Sequence, residues 1–173
     1  SRFPIPQMTT TVPLIYSFPE FEGVAEAVAD HVITKQNLAL YNTLDRAEIL
    51  DLKEKEEQRK LASASAVSLS NGKAKKEKKK KSSARFKIAI SGGSLIKILN
   101  QGLIKRAEDI EWDKWDVYFA DERLVPFDSP DSNYGQAKRE IFDNITGDKK
   151  PNVFHIDESL ILDAQECADG YEK

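Results

Sequence analysis

A chain of 173 residues with 40% apolar and 32% charged side chains is long enough for one domain. A domain of this size buries about 70% of its unfolded surface and needs no disulfide staples. One cysteine (Cys167) and two histidines (His31, His155) exclude an internal disulfide and a multi-cysteine zinc site, and no apolar run reaches the length of a membrane span.

The single cysteine fits a reducing compartment, and no basic segment leads into an apolar stretch as a secretory signal would. The net charge of −3 averages unlike parts. Residues 73–81 (KAKKEKKKK) hold seven Lys and one Glu, so the remainder carries −9. An acidic body with one basic tract is not the even basic surface of a nucleic-acid binder.

Met8 is the expected natural start, with residues 1–7 upstream of the domain. Residues 13–18 (PLIYSF) predict a short strand. In residues 20–36, Phe21, Val24, Ala25, Val28, Val32 and Ile33 recur at helical spacing and predict an amphipathic helix, with His31 beside its apolar stripe as a surface residue. Residues 45–60 are densely charged with mixed sign, the pattern of a solvated helix rich in near-neighbour ion pairs. Residues 61–84 lose periodicity and have the composition of a disordered loop. The whole of 43–84 is therefore expected to be an insertion within one domain spanning 8–173.

Order returns at Arg85. RFKIAIS predicts a strand, Gly92-Gly93 a tight turn, and LIKILNQGLIKRAE a helix. WDVYFAD predicts a further strand, followed by a loop rich in Asp, Pro and Ser. Residues 133–145 predict a helix with Asp131 or Ser132 as its N-cap. NVFHI (152–156) predicts a fourth strand, holding His155, and residues 160–173 the beginning of another helix. Strand alternating with helix predicts an α/β fold: a Rossmann-like open parallel sheet with flanking helices. No capping signal follows Tyr171, so the last helical pattern is expected to continue past Lys173 in a longer protein.

Three segments carry chemistry. Ser91-Gly92-Gly93-Ser94 lies between a strand and a helix. There the backbone can approach a ligand closely, and free N–H groups with the positive end of the helix dipole favour a phosphate. A plain βα turn accounts for the same residues. It is neither a dinucleotide fingerprint nor a P-loop. Asp121-Glu122-Arg123 falls at the C-terminal end of a strand, the edge where open α/β sheets bind ligands. Arg123 can clamp a phosphate or carboxylate with two donors, while Asp121 or Glu122 can hold it or meet sugar hydroxyls. A surface ion-pair cluster is the simpler alternative. Ser129–Gly135 (SPDSNYG) reads as a turn and helix cap.

Together these segments resemble the 6-phosphogluconolactonase family, which belongs with the glucosamine-6-phosphate isomerases and deaminases. SGGS followed by YFADERLVPFDSPDSNYGQAKREIF carries the resemblance, over roughly residues 12–43 and 85–173. It implies a Rossmann-like fold and hydrolysis of 6-phosphoglucono-1,5-lactone in the pentose phosphate pathway, with a sugar phosphate as substrate and with no metal or organic cofactor. By position, Gly92, Gly93 and Ser94 are expected to line the sugar-phosphate site. Arg123 is expected to hold the phosphate or polarise the lactone, Asp121 and Glu122 to share its motif, and Asp131, Ser132 and Asn133 to support the loop. Arg123 and Val125-Pro126 set the chain apart from the deaminase branch. The family's catalytic histidine lies in an Asp-Gly-His motif that this chain lacks: Asp169-Gly170 is followed by Tyr171, and His155 does not match. That histidine is expected beyond Lys173. This chain by itself is therefore expected to be inactive, since losing a general base costs on the order of 10²–10⁴ in rate.

The lysine tract is a solvated charge run, or else a contact for nuclear import or for RNA. Binding of the latter kind would be salt-sensitive, and no aromatic residue interleaves with the tract to stack on bases. The chain also resembles a fungal lactonase-like branch linked to tRNA function. The alternative expectation is thus a non-catalytic paralogue acting through residues 73–81. A cytoplasmic location is expected, with the nucleus added in that case.

Overall fold

Phe86-Lys-Ile-Ala-Ile90 alternates a buried face with an exposed one, whereas Trp115-Asp-Val-Tyr-Phe119 is buried almost throughout. An edge strand shows the first pattern and a central strand the second. The computed structural model describes residues 15–67 and 84–171. In it, β1 (Phe86–Ile90), β2 (Trp115–Phe119) and β3 (Asn152–Val153) form a parallel sheet in that order. Phe86 is paired with Trp115, Ile90 with Phe119, and Val117 with Val153. Helices α1 (Phe21–Tyr41), α2 (Arg46–Val67), α3 (Ser94–Ile104), α4 (Asn133–Glu140) and α5 (Ala164–Tyr171) complete the α/β architecture. The core joins Ile33 of α1, Ile96 and Leu99 of α3, Val117 and Phe119 of β2 and Ala137 of α4. No helix among the described residues is long and apolar enough to cross a membrane.

Helix α1 ends where Asn42 takes the left-handed conformation (φ 55°) and its N–H bonds the Leu38 carbonyl, a termination suited to asparagine. Asp45 then caps α2, its Oδ1 accepting from the N–H groups of Ala47 and Glu48. Helix α2 is fastened to the body near its first turns. Ile49 is buried, and Lys114 at the foot of β2 bonds Glu56 (2.7 Å), Glu111 (3.1 Å) and the Tyr41 hydroxyl. Burial and a hydrogen bond to Glu111 push the Tyr41 phenol well above its ordinary range. Burial pulls the Lys114 ammonium down, but bonds from Glu56 and Tyr41 outweigh it and keep the group charged.

The central polar groups are paired. Asp116, buried in β2, accepts from Arg85 Nε and Asn152 Nδ2, both at 2.8 Å. Gln36, fully buried on α1, donates to the Asp109 carbonyl (2.9 Å) and accepts from Trp115 Nε1 (2.7 Å) and Glu111 N (3.0 Å). A buried donor without a partner costs about 1–3 kcal/mol. Gln36→Ala orphans two donors, so it should destabilise the protein by about 2–6 kcal/mol. A urea titration measures this, and a loss below about 1 kcal/mol would show that water replaces the amide.

Several expectations are corrected. Residues 15–18 form no strand, and Ile15 and Tyr16 are exposed; residues 13–14 lie outside the described residues. The described sheet therefore has three strands rather than four. The helix after residue 45 runs on to Val67, through residues 61–67 whose composition predicts a loop; the lysine tract 73–81 lies outside the described residues. Helix α3 stops at Ile104, followed by a 3₁₀ turn that Arg106 braces through Asp109. Helix α4 stops at Glu140, because Asn144 Nδ2 takes the terminal carbonyls of Arg139 and Glu140. Only Asn152–Val153 of NVFHI is strand. His155 lies beyond it, stacked on Tyr134 at 4.1 Å between ring centroids. The last helix begins at Ala164 rather than at residue 160, after a 3₁₀ turn at Glu158–Leu160. It is described as far as Tyr171. Its expected course through Glu172 and Lys173 lies outside the described residues, as does the expected place of the family's histidine beyond Lys173.

Candidate functional site

Strands β1 and β2 end side by side, the Ala120 N–H donating to the Ile90 carbonyl at 2.9 Å. The parallel register thus delivers the glycine turn and the Asp121–Arg123 segment to the same edge of the sheet. Gly93 sits at φ 68°, ψ −135°, a conformation that glycine adopts without strain. A Cβ there would meet nothing within 4 Å, so its outer side is open. Among the described residues no side chain caps the first turn of α3, and no acidic residue lies in that turn. The first N–H groups of a helix have no partner within it, and Gly93 and Ser94 at this end are exposed.

The three charged residues after β2 diverge. Glu122 turns inward: Oε1 accepts from Asn133 N (2.8 Å) and Arg123 N (2.9 Å), and Oε2 from Tyr134 N (2.8 Å). Its carboxylate therefore sits at the positive end of α4, alongside the Ser132 hydroxyl that accepts from Gly135 N. Asp121 and Arg123 are exposed. Among the described residues the Arg123 guanidinium meets the Asp131 carbonyl, at 3.3 Å, which uses one of its five donors.

Ser132 is the observed cap of the two candidates. Asp131 lends the loop its backbone, its N–H bonding Ser129 Oγ at 3.2 Å and its carbonyl Arg123. Asn133, buried, bonds the Asp121 carbonyl at 2.9 Å. Gln136 reaches the Gly93 carbonyl at 3.3 Å. Sequence reasoning missed Gln136. Its signal is the helical spacing from Asn133, which puts both residues on one face of α4.

Beside Asp121 a cavity of about 250 Å³ is lined by Phe119, Ala120, Leu124, Ile156 and Tyr171. The hydroxyl of Tyr171 accepts from Phe119 N and donates to the Phe154 carbonyl. Below the loop, Glu158 accepts from Phe127 N (2.8 Å). Neighbouring Asp157 is held below the usual carboxylate range by hydrogen bonds from the Ser159 hydroxyl and N–H. No three His, Cys, Asp or Glu side chains converge as a metal site among the described residues. Chemically, the edge offers helix N-terminal N–H groups, a hydroxyl and an exposed guanidinium for an anion, with a carboxylate and an apolar cavity next to them.

Residues 56–173 match the family described as glucosamine-6-phosphate isomerases/6-phosphogluconolactonase. Over 96% of its length the chain is 53% identical to 6-phosphogluconolactonase-like protein 1 of Saccharomyces cerevisiae and 57% identical to 6-phosphogluconolactonase-like protein 2 of the same yeast, covering 56% of each. It is 45% identical to the probable 6-phosphogluconolactonase of Schizosaccharomyces pombe, over 51% of this chain and 35% of that protein. The chain spans about half the length of the curated relatives it matches.

Proposed function

Because this chain belongs to the glucosamine-6-phosphate isomerase/6-phosphogluconolactonase family, we propose that the whole protein hydrolyses 6-phosphoglucono-1,5-lactone to 6-phosphogluconate. The observation that carries this reading is the sheet edge to which the parallel register brings both the glycine turn at the α3 N-terminus and the Asp121–Arg123 segment. Gly92, Gly93 and Ser94 take the phosphate through backbone N–H groups and a hydroxyl. Arg123 adds a paired charge, and Asp121 meets a sugar hydroxyl. Glu122 serves the site from behind, as the cap of α4.

Hydrolysis then needs a base to take a proton from water as its oxygen joins the lactone carbonyl carbon. The ring C–O bond breaks, and the ring oxygen collects a proton. In this reading a histidine from the remainder of the protein, beyond Lys173, supplies the base.

The test is lactone opening by the whole protein above the spontaneous background. Turnover at least about 10²-fold above background is the expected result for a site with a general base. A folded protein at background rate would overturn it.

A second reading is favoured by the seven lysines within residues 73–81. It is a non-catalytic lactonase-like paralogue that handles tRNA or another RNA, or enters the nucleus, through that tract. Salt-sensitive RNA binding that disappears with the tract would support it. The first reading places the protein in the cytoplasm, and the second adds the nucleus.

A further inference from the structure

The glycine turn and Arg123 belong to different strands, and an anion site made from both needs them held in register. Asn133 touches the glycine turn and the two residues just before Arg123. Its Nδ2 donates to the Asp121 carbonyl, and its backbone N–H to Glu122. Its side chain approaches Gly92 so closely that a Cβ at residue 92 would stand 1.7 Å from Asn133 Oδ1 and 2.4 Å from Cγ. The neighbouring turn of α4 makes similar contacts. A Cβ on Gly135 would lie 1.9 Å from the Phe127 carbonyl oxygen, and Arg139 donates to that same oxygen at 3.0 Å. The loop between Arg123 and Ser132 is thus seated on α4, while Asn133 reaches past it to the turn of β1.

We infer that Asn133 is a positioning residue that locks the glycine turn to the Asp121–Arg123 segment, so that the α3 N-terminus and the guanidinium act as one phosphate-binding edge. The ligand class rests on the lactonase reading above; the lock itself does not. Gly92 is required by this contact, because no larger residue leaves room for the buried amide. Asn133 touches no substrate. It acts by keeping two anion-binding groups at a fixed separation, and misplacing such groups by about 1 Å can cost about 10²-fold.

The experiment compares the whole wild-type protein with Asn133→Ala, Gly92→Ala and the double variant. It uses thermal melts, amide exchange over residues 121–131 and calorimetric titration with 6-phosphogluconate. Gly92→Ala alone should destabilise most. The double variant should recover most of that loss, since truncating Asn133 frees the space that the new methyl needs. Affinity in Asn133→Ala and in the double variant should nevertheless stay about 10- to 100-fold below wild type, with exchange over 121–131 faster than wild type in both. If affinity returns together with stability, Asn133 only fills space and the inference is overturned. If the wild-type protein binds no 6-phosphogluconate, the lactonase reading fails by itself. The lock is then decided by exchange alone: faster in both Asn133 variants upholds it, and unchanged exchange overturns it.

Discussion

Arg123→Ala should weaken 6-phosphogluconate binding to the whole protein by about 10- to 100-fold, the cost of one charge-assisted pair. The melting temperature should stay within about a degree or two, because an exposed side chain away from the core contributes little to stability. The two effects separate because of how the residue is held. Its backbone N–H bonds Glu122 and survives the substitution, whereas its guanidinium has one long bond to the Asp131 carbonyl. Arg123→Lys should fall between, since it keeps the charge and loses the planar fork. A titration with unchanged affinity would remove Arg123 from the site. A large fall in melting temperature would make it structural instead.

Gly102→Val should cost about 3–5 kcal/mol, toward the upper end of what overpacking does to a core. For a chain of this size that lowers the melting temperature by on the order of 10 °C. The glycine lies in α3, where its backbone freedom is a liability rather than a use. Its reason is contact. A Cβ there would stand 2.3 Å from the Ala25 carbonyl oxygen and 3.0 Å from Ala29 Cβ, both on α1. Ala25 and Ala29 are almost completely buried, and the clashing oxygen is backbone, so relief requires the two helices to part. Gly102→Ala should show part of the same loss, against the stabilisation expected from helix propensity alone. A thermal melt showing either variant as stable as wild type would mean that α1 and α3 do not approach this closely.

Much of the fold was legible locally. The apolar spacing from Phe21 to Ile33 announced α1, the mixed charges after Asp45 announced α2, and the strand–glycine–helix run from Arg85 announced β1 and α3. Asp131 and Ser132 were legible as cap candidates because a cap is a rule about neighbours, and the structure shows Ser132 in that role. The two strand failures have a common cause. PLIYSF has strand composition, yet Ile15 and Tyr16 lie exposed without a strand beside them; a strand is completed by its neighbour rather than by its own residues. NVFHI was shortened to two residues for the same reason, with Phe154 stacking on Tyr118 and His155 on Tyr134 beyond the ladder. Helix α4 stopped early because Asn144 turned back to its carbonyls.

The candidate site divides along the same line. Sequence alone determined which residues stand at the strand ends, since Gly92, Gly93 and Ser94 follow β1 directly, as Asp121, Glu122 and Arg123 follow β2 within a few residues. Only the tertiary structure decided their parts. It turned Glu122 onto the N-terminus of α4, left Arg123 exposed with a bond to the Asp131 carbonyl, and laid Asn133 against Gly92. Those outcomes follow from the register of β1 on β2 and the seat of α4 above them. Contacts between residues so far apart in the chain are set by packing geometry, which no local pattern encodes.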